Sequence, residues 1–256
     1  MKNLFLPFKE LSSKERLLST VLVIALVFTT WSLSGNKYIP TPFEIAGSLP
    51  RLINDKNIAG NFIKSLVFCF QAMGYSLIIA VVISYLSVLP LFTTFCTFLR
   101  KFRFLPSTGL SFLFMKITDN IDQQMFWMMV FGVTTWMIDA MVGIALSINR
   151  DNVMYARSLR LSRWECMSEL LIKGKAAQMF IAAISIFAVA WMLLASIENI
   201  AKASGGIGVI LAESNKYYKF EEVYAIQLLI FLTGIAMDTM LNVIRKWLFP
   251  YSNITK

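Results

Sequence analysis

A chain of 256 residues that is 57% hydrophobic with only 15% charged residues carries more apolar surface than one soluble core can bury, which places it in a bilayer. It has no histidine, which removes the usual general base and the commonest metal ligand. Its three cysteines, Cys69, Cys96 and Cys166, show no CxxC spacing and no even count, so they indicate neither a zinc site nor a disulfide framework and read as small apolar fillers.

Lys2, Lys9, Lys14 and Arg16 precede an apolar run from Leu17 to Leu33. A secretory signal peptide has the same order, but its apolar stretch is about 7 to 15 residues and ends at a small-x-small cleavage site. This run is longer and lacks such a site, so a retained first span is expected, with Phe5-Leu6-Pro7-Phe8 resting at the interface. Residues 35–60 are polar, are punctuated by Pro40, Pro42 and Pro50, and include a short amphipathic stretch after Pro42.

About 20 residues cross the hydrocarbon, and the runs at 65–89, 123–147, 176–198 and 223–243 qualify. Ser107 to Ile117 is too short alone and needs Leu91 to Leu99 within the membrane edge. The expectation is one all-α membrane domain over 1–256 with about six spans. A turn at Thr118, Asp119, Asn120 and Asp122 closes a tight helix pair.

With the N-terminus inside, inner segments hold Lys2, Lys9, Lys14, Arg16, Arg100, Lys101, Arg103, Arg150, Arg157, Arg160, Arg163, Lys173, Lys175, Arg245, Lys246 and Lys256. Only Lys37, Arg51, Lys56, Lys64, Lys116, Lys202, Lys216 and Lys219 fall outside. That is the bias of cytoplasmic loops. The net charge of +9 is thus mostly an orientation signal and needs no nucleic acid, with attraction to anionic lipid as a minor reading.

Residues 150–175 form a basic stretch between two long apolar segments. They read as two short helices and a turn, the first N-capped by Asp151 or Asn152. Ser162-Arg163-Trp164-Glu165 is a capping-box signature for the second, and Gly174 ends it. That helix carries an apolar stripe at Trp164, Met167, Leu170 and Leu171, while Arg157, Arg160 and Arg163 crowd the elbow. Such a helix can lie on the membrane or plug into a partner.

Ser204-Gly205-Gly206-Ile207-Gly208 lacks both GxxxxGK[ST] and GxGxxG, so nucleotide binding there is disfavoured. Asp139, Glu198 and Asp238 lie in or at the ends of predicted spans, where an ionised side chain costs at least roughly 2.5 kcal/mol and faces a cavity or partner. They are the candidates for a substrate pathway or gate, against a plainer reading as headgroup-level or helix-capping acids. Gln71 and Gln227 can hydrogen-bond across helices in either reading. Met125, Met128 and Met129 read as lipid-facing or core filler.

Tyr155-Ala156-Arg157-Ser158-Leu159-Arg160-Leu161-Ser162-Arg163-Trp164, then a helix, then Ala176-Ala177, resembles the cytoplasmic "EAA" coupling loop of ABC-importer permeases, closest to the nitrate/sulfonate/taurine branch. Ala156, Arg157, Leu159, Ser162, Arg163 and Trp164 match that pattern, whereas Met154 stands where the family has Glu, Arg160 where it has Gly, and Lys173 near its Pro. Arginine lacks glycine's backbone freedom, so the elbow is expected to differ here. Ile39-Pro40-Thr41-Pro42, Phe102-Arg103-Phe104-Leu105-Pro106, and Glu198 with Gly206-Ile207-Gly208 are similar to further segments of the same branch, in the same order.

The resemblance implies a type I ABC importer permease fold in the bacterial inner membrane, multi-pass, with both termini cytoplasmic. It implies coupling residues at Tyr155, Ala156, Arg157, Leu159, Arg160, Ser162, Arg163, Trp164, Met167 and Leu170. It also implies a partner ABC ATPase dimer that binds the ATP, a second permease copy as a homodimer, and an extracytoplasmic binding protein delivering a small solute such as nitrate, a sulfonate, taurine or bicarbonate. No catalytic motif, cofactor or metal set belongs to this chain itself. A secondary transporter without an ATPase, or a diverged non-conducting partner in a heterodimer, are the rival readings.

Overall fold

In the computed structural model, residues 12–32, 39–54, 56–200 and 205–250 are described. The expected interface segment Phe5–Phe8 lies outside them, as do Lys2, Lys9, Lys37, Lys202 and Lys256. Eleven α-helices follow one another, and no strand occurs among the described residues: α1 (Ser13–Ser32), α2 (Pro42–Asn54), α3 (Ile58–Leu86), α4 (Pro90–Leu99), α5 (Ser111–Ile117), α6 (Ile121–Leu146), α7 (Arg150–Ser158), α8 (Arg163–Met167), α9 (Ala176–Ile200), α10 (Ile207–Lys216) and α11 (Phe220–Leu248). Four of them, α3, α6, α9 and α11, are long and apolar enough to cross a membrane, and they coincide with the four clear runs of the sequence. In the first expected span, the apolar helix is the shorter stretch Leu17–Ser32.

Small side chains decide how α3 and α6 pack. Ser65, Cys69, Ala72, Ser76, Ala80 and Ser84 recur at helical spacing and are all buried, which lets the two backbones approach as small-residue stripes do in lipid. Ser76 donates to the Val130 carbonyl at 3.2 Å and Ser84 to the Met141 carbonyl at 3.1 Å. The numbering rises together on both helices, so they run parallel. Met125, Met128, Met129, Met137 and Met141 fill the space beside that stripe and are buried; they are core filler.

Helix α9 runs the other way, stacking Phe187 on Phe70 at 5.6 Å and setting Trp191 edge-on to Phe62 at 6.4 Å. The Trp191 indole N–H donates to the Ile230 carbonyl at 3.0 Å, which fastens α11 to α9.

Because α3 and α6 are parallel, the chain between them must travel back the length of α6. It does so in pieces: α4, a 3₁₀ turn at Arg100–Phe104, another at Ser107–Leu110, then α5. Arg100 and Arg103 meet α6 at Asp139, Ser107 packs at Gly132, and the Gln124 amide donates to the Ser111 carbonyl at 3.0 Å. The expected third span is therefore a broken rod, interrupted at Leu105–Pro106, where proline supplies no backbone donor. The tight turn after it, at 118–120, is present between α5 and α6.

This topology sorts the connections to two ends. Segments 87–104 and 147–175 and the C-terminus of α11 share the hairpin end, with α2, the 118–120 turn and α10 at the far end. Helix α2 opens with a capping box that the sequence reading missed: the Thr41 N–H donates to the Glu44 carboxylate at 2.7 Å and the Glu44 N–H to the Thr41 hydroxyl at 3.4 Å. Its Ile45 and Leu52 join Ile58, Ile207, Ile210, Ala225 and Ile226 in a second apolar core that closes the far end.

Candidate functional site

The basic hairpin forms as two helices and an elbow, with local changes. Asn149, rather than Asp151 or Asn152, caps α7, its side chain accepting from the Asp151 N–H at 3.4 Å. At the other end of α7, the Leu161 N–H reaches the Ala156 carbonyl at 3.4 Å and the Arg160 N–H reaches the Arg157 carbonyl at 2.9 Å. That pair of bonds is a Schellman stop. It places Arg160 at φ 62, in the left-handed region glycine favours. The elbow thus keeps the turn a glycine would make, and the expected difference at Arg160 is one of strain, not of path.

Ser162 then starts α8 with the capping box foreseen: its N–H donates to Glu165 at 2.6 Å, and its hydroxyl accepts from the Glu165 N–H at 3.2 Å. Those bonds hold the Glu165 carboxyl below the usual carboxylate range. Beyond Met167 the helix widens into a π turn at Ser168–Lys173. Gly174 closes it with φ −70, an ordinary right-handed value. A side chain there would start 2.6 Å from the Leu170 carbonyl oxygen, so glycine answers crowding by the π turn and not a left-handed cap.

The widening splits the expected apolar stripe. Leu171 is fully buried against the bundle, and Met167 and Leu170 line a cavity of about 240 Å³ with Val88, Ala145 and Leu146. Trp164 is 69% exposed, and Met154, Tyr155 and Leu159 on α7 and its stop are exposed too. Of the sequence candidates, Tyr155, Arg157, Leu159, Arg160, Ser162, Arg163 and Trp164 are exposed, while Ala156 is buried and Met167 and Leu170 are half-buried towards the bundle.

At the far end Glu198 is 1% exposed. Its carboxylate accepts from the Ser65 hydroxyl at 2.5 Å and the Gly208 N–H at 2.6 Å, while the Ile207 N–H donates to Ser65 Oγ at 2.9 Å and the Gly206 N–H to Asn61 at 3.0 Å. Glu198 thereby caps α10 and joins α9, α3 and α10. The glycine string makes this possible. Gly206 sits at φ 115 with the Glu198 carboxylate in the space a Cβ would need, and a Cβ on Gly208 would lie 2.6 Å from the Ala195 carbonyl oxygen.

The far end holds a second buried acid, Glu222, which is not among the sequence candidates. Glu222 accepts from Ser214 at 2.8 Å and pairs with Lys56 at 2.9 Å and Lys219 at 3.4 Å. Glu222 follows Lys219 by three residues, a signal that was available, but Lys56 lies far away in the chain.

Asp139 is held by Arg100 at 2.9 Å and by Arg103. Both arginines count among the inner-segment charges of the sequence; their spacing of three, ahead of Pro106, is the only local sign of the pairing. Asp238 is exposed on α11 and accepts from Asn242 at 3.2 Å. Gln71 and Gln227 are exposed on α3 and α11. The five pathway candidates therefore do not converge on one chamber within a single chain: Glu198 is at the far end, Asp139 faces the broken rod, and the other three face outward. Comparison with protein-family models and with curated proteins finds no match for this chain.

Proposed function

We propose that this chain is the membrane-spanning permease subunit of an ATP-driven importer, working with a separate ATPase dimer, a second copy of itself and a binding protein that delivers a small solute. The observation that carries the reading is the hairpin. A capped, two-helix element is anchored through Leu171 and presents exposed Tyr155, Leu159 and Trp164 among Arg157 and Arg163. Exposed aromatic and arginine side chains on one capped element suit a groove on a partner protein.

In this reading the hairpin end faces the cytoplasm, six crossings include α1 and the broken rod, and closure of the nucleotide dimer pushes the hairpin and rocks the bundle. The exposed polar residues Gln71, Gln227 and Asp238 then face the second copy and the pathway between the two. Glu198 holds the far-end helices against which the binding protein docks.

Co-purification of the native chain brings down an ATPase. In proteoliposomes of that complex, Trp164→Ala lowers the affinity of ATPase and permease about 30-fold, the weight of an aromatic hot spot of about 2 kcal/mol, and uncouples hydrolysis from uptake while the chain stays inserted. Uptake equal to that of the native complex, or absence of any co-purifying ATPase, overturns the reading; the second result favours a secondary transporter. Trp164 is the cleaner probe than Leu170, whose side chain also packs inward.

A further inference from the structure

Where the broken rod leans on α3 and α6 there is an apolar cavity of about 350 Å³, lined by Ile79, Phe102, Phe114, Trp127, Thr134 and Ile138 among others. From Trp127 to Ile138 its wall follows α6 for about 16 Å at ~1.5 Å per residue. That is about half the ~30 Å hydrocarbon thickness, the depth of one leaflet. The Thr134 hydroxyl in this wall is buried and has no hydrogen-bond partner.

Cations adjoin this lining on its hairpin-end side: Arg100, Lys101 and Arg103 flank the lining residues Leu99 and Phe102, and Asp139 follows Ile138. In a 3₁₀ turn residues three apart share a face, so Arg100 and Arg103 both turn to Asp139, while Phe102 lines the cavity and Lys101 is exposed. Asp139 offsets only one of these three positive charges. The two arginine side chains remain 33% and 36% exposed, and the Phe104 ring covers one face of the Arg103 guanidinium at 4.9 Å.

We infer that this cavity and its basic rim bind one anionic phospholipid of the leaflet at the hairpin end, an acyl chain lying along α6 and the phosphate resting on Lys101, Arg100 and Arg103. The cavity's leaflet-deep length fits an acyl chain, and the surplus positive charge on its hairpin-end side selects an anionic headgroup. This site does not depend on the transport reading, since it needs only the bilayer and the rim.

The test uses the full chain, reconstituted in vesicles with equal parts of phosphatidylcholine and phosphatidylglycerol, released into mild detergent and weighed by native mass spectrometry. One phosphatidylglycerol stays bound in preference to phosphatidylcholine. Lys101→Gln, on the exposed rim, cuts that preference about five-fold, the weight of one surface cation. Ile79→Trp, which obstructs the cavity from its half-exposed edge, lowers retention of both lipids. Equal retention of the two lipids by the native chain overturns the inference, and so does a preference untouched by both substitutions. Should Ile79→Trp fail to elute as a single species, Lys101→Gln decides alone.

Discussion

Arg160 occupies a backbone conformation that costs a side-chain-bearing residue about 1–2 kcal/mol, and it is held there by the two carbonyl bonds that stop α7. Replacing it with glycine removes that strain without moving the turn. Arg160→Gly is expected to stabilise the hairpin by about 1 kcal/mol, seen as slower amide exchange at Arg160 and Leu161 relative to the native chain. A rise in exchange would mean that the guanidinium, not the backbone, holds the elbow. The residue-scale features most legible in the sequence were those closed within a few positions. The Ser162–Glu165 box could be read directly because both partners lie inside one turn. Glu198 with its Ser65 and Gly208 donors was legible only as a lone acid near a glycine run, because its donors belong to other helices.

At the scale of elements, α8 and its π turn join an exposed outer face to the inner anchor at Leu171. The capping box fixes the start of this piece, and its strength follows the charge of Glu165. The folded value lies below the ordinary one, so the contribution is present above the usual glutamate range of about 4.3 and is lost as the pH falls through the lowered folded value. The protection factor of the Cys166 amide, which bonds to the Ser162 carbonyl at 2.9 Å, should therefore stay high at neutral pH and fall in acid. Glu165→Gln should flatten that acid response; an unchanged profile would remove the carboxylate from the account. The four long helices were legible from apolar length alone. The widening at Ser168–Lys173 and the fracture at Leu105–Pro106 were not, because both depend on what the segment packs against and leave the local composition unchanged.

For the molecule as a whole, the Arg100–Asp139–Arg103 cluster joins the broken rod to the bundle. The sequence offers only the three-residue spacing of its arginines, since their acid lies some three dozen positions away and a rod so interrupted gives no single periodic signal. Asp139→Ala leaves two arginines without their partner in a half-buried setting. It should lower thermal stability in detergent by on the order of 2 kcal/mol, less than a fully buried pair would lose. Asp139→Glu, which keeps the charge, should recover most of that loss. If both variants melt alike, shape and not charge is what the rod needs.

The same fracture bears on how the chain is made. A stretch carrying Arg100, Lys101 and Arg103 with no unbroken helix of its own is a poor candidate to leave the ribosome-bound insertion channel by itself. Its neutralising acid is encoded later, in α6. The two segments are therefore expected to partition into lipid together, as a preassembled pair, so that biogenesis waits at this point for downstream sequence to emerge.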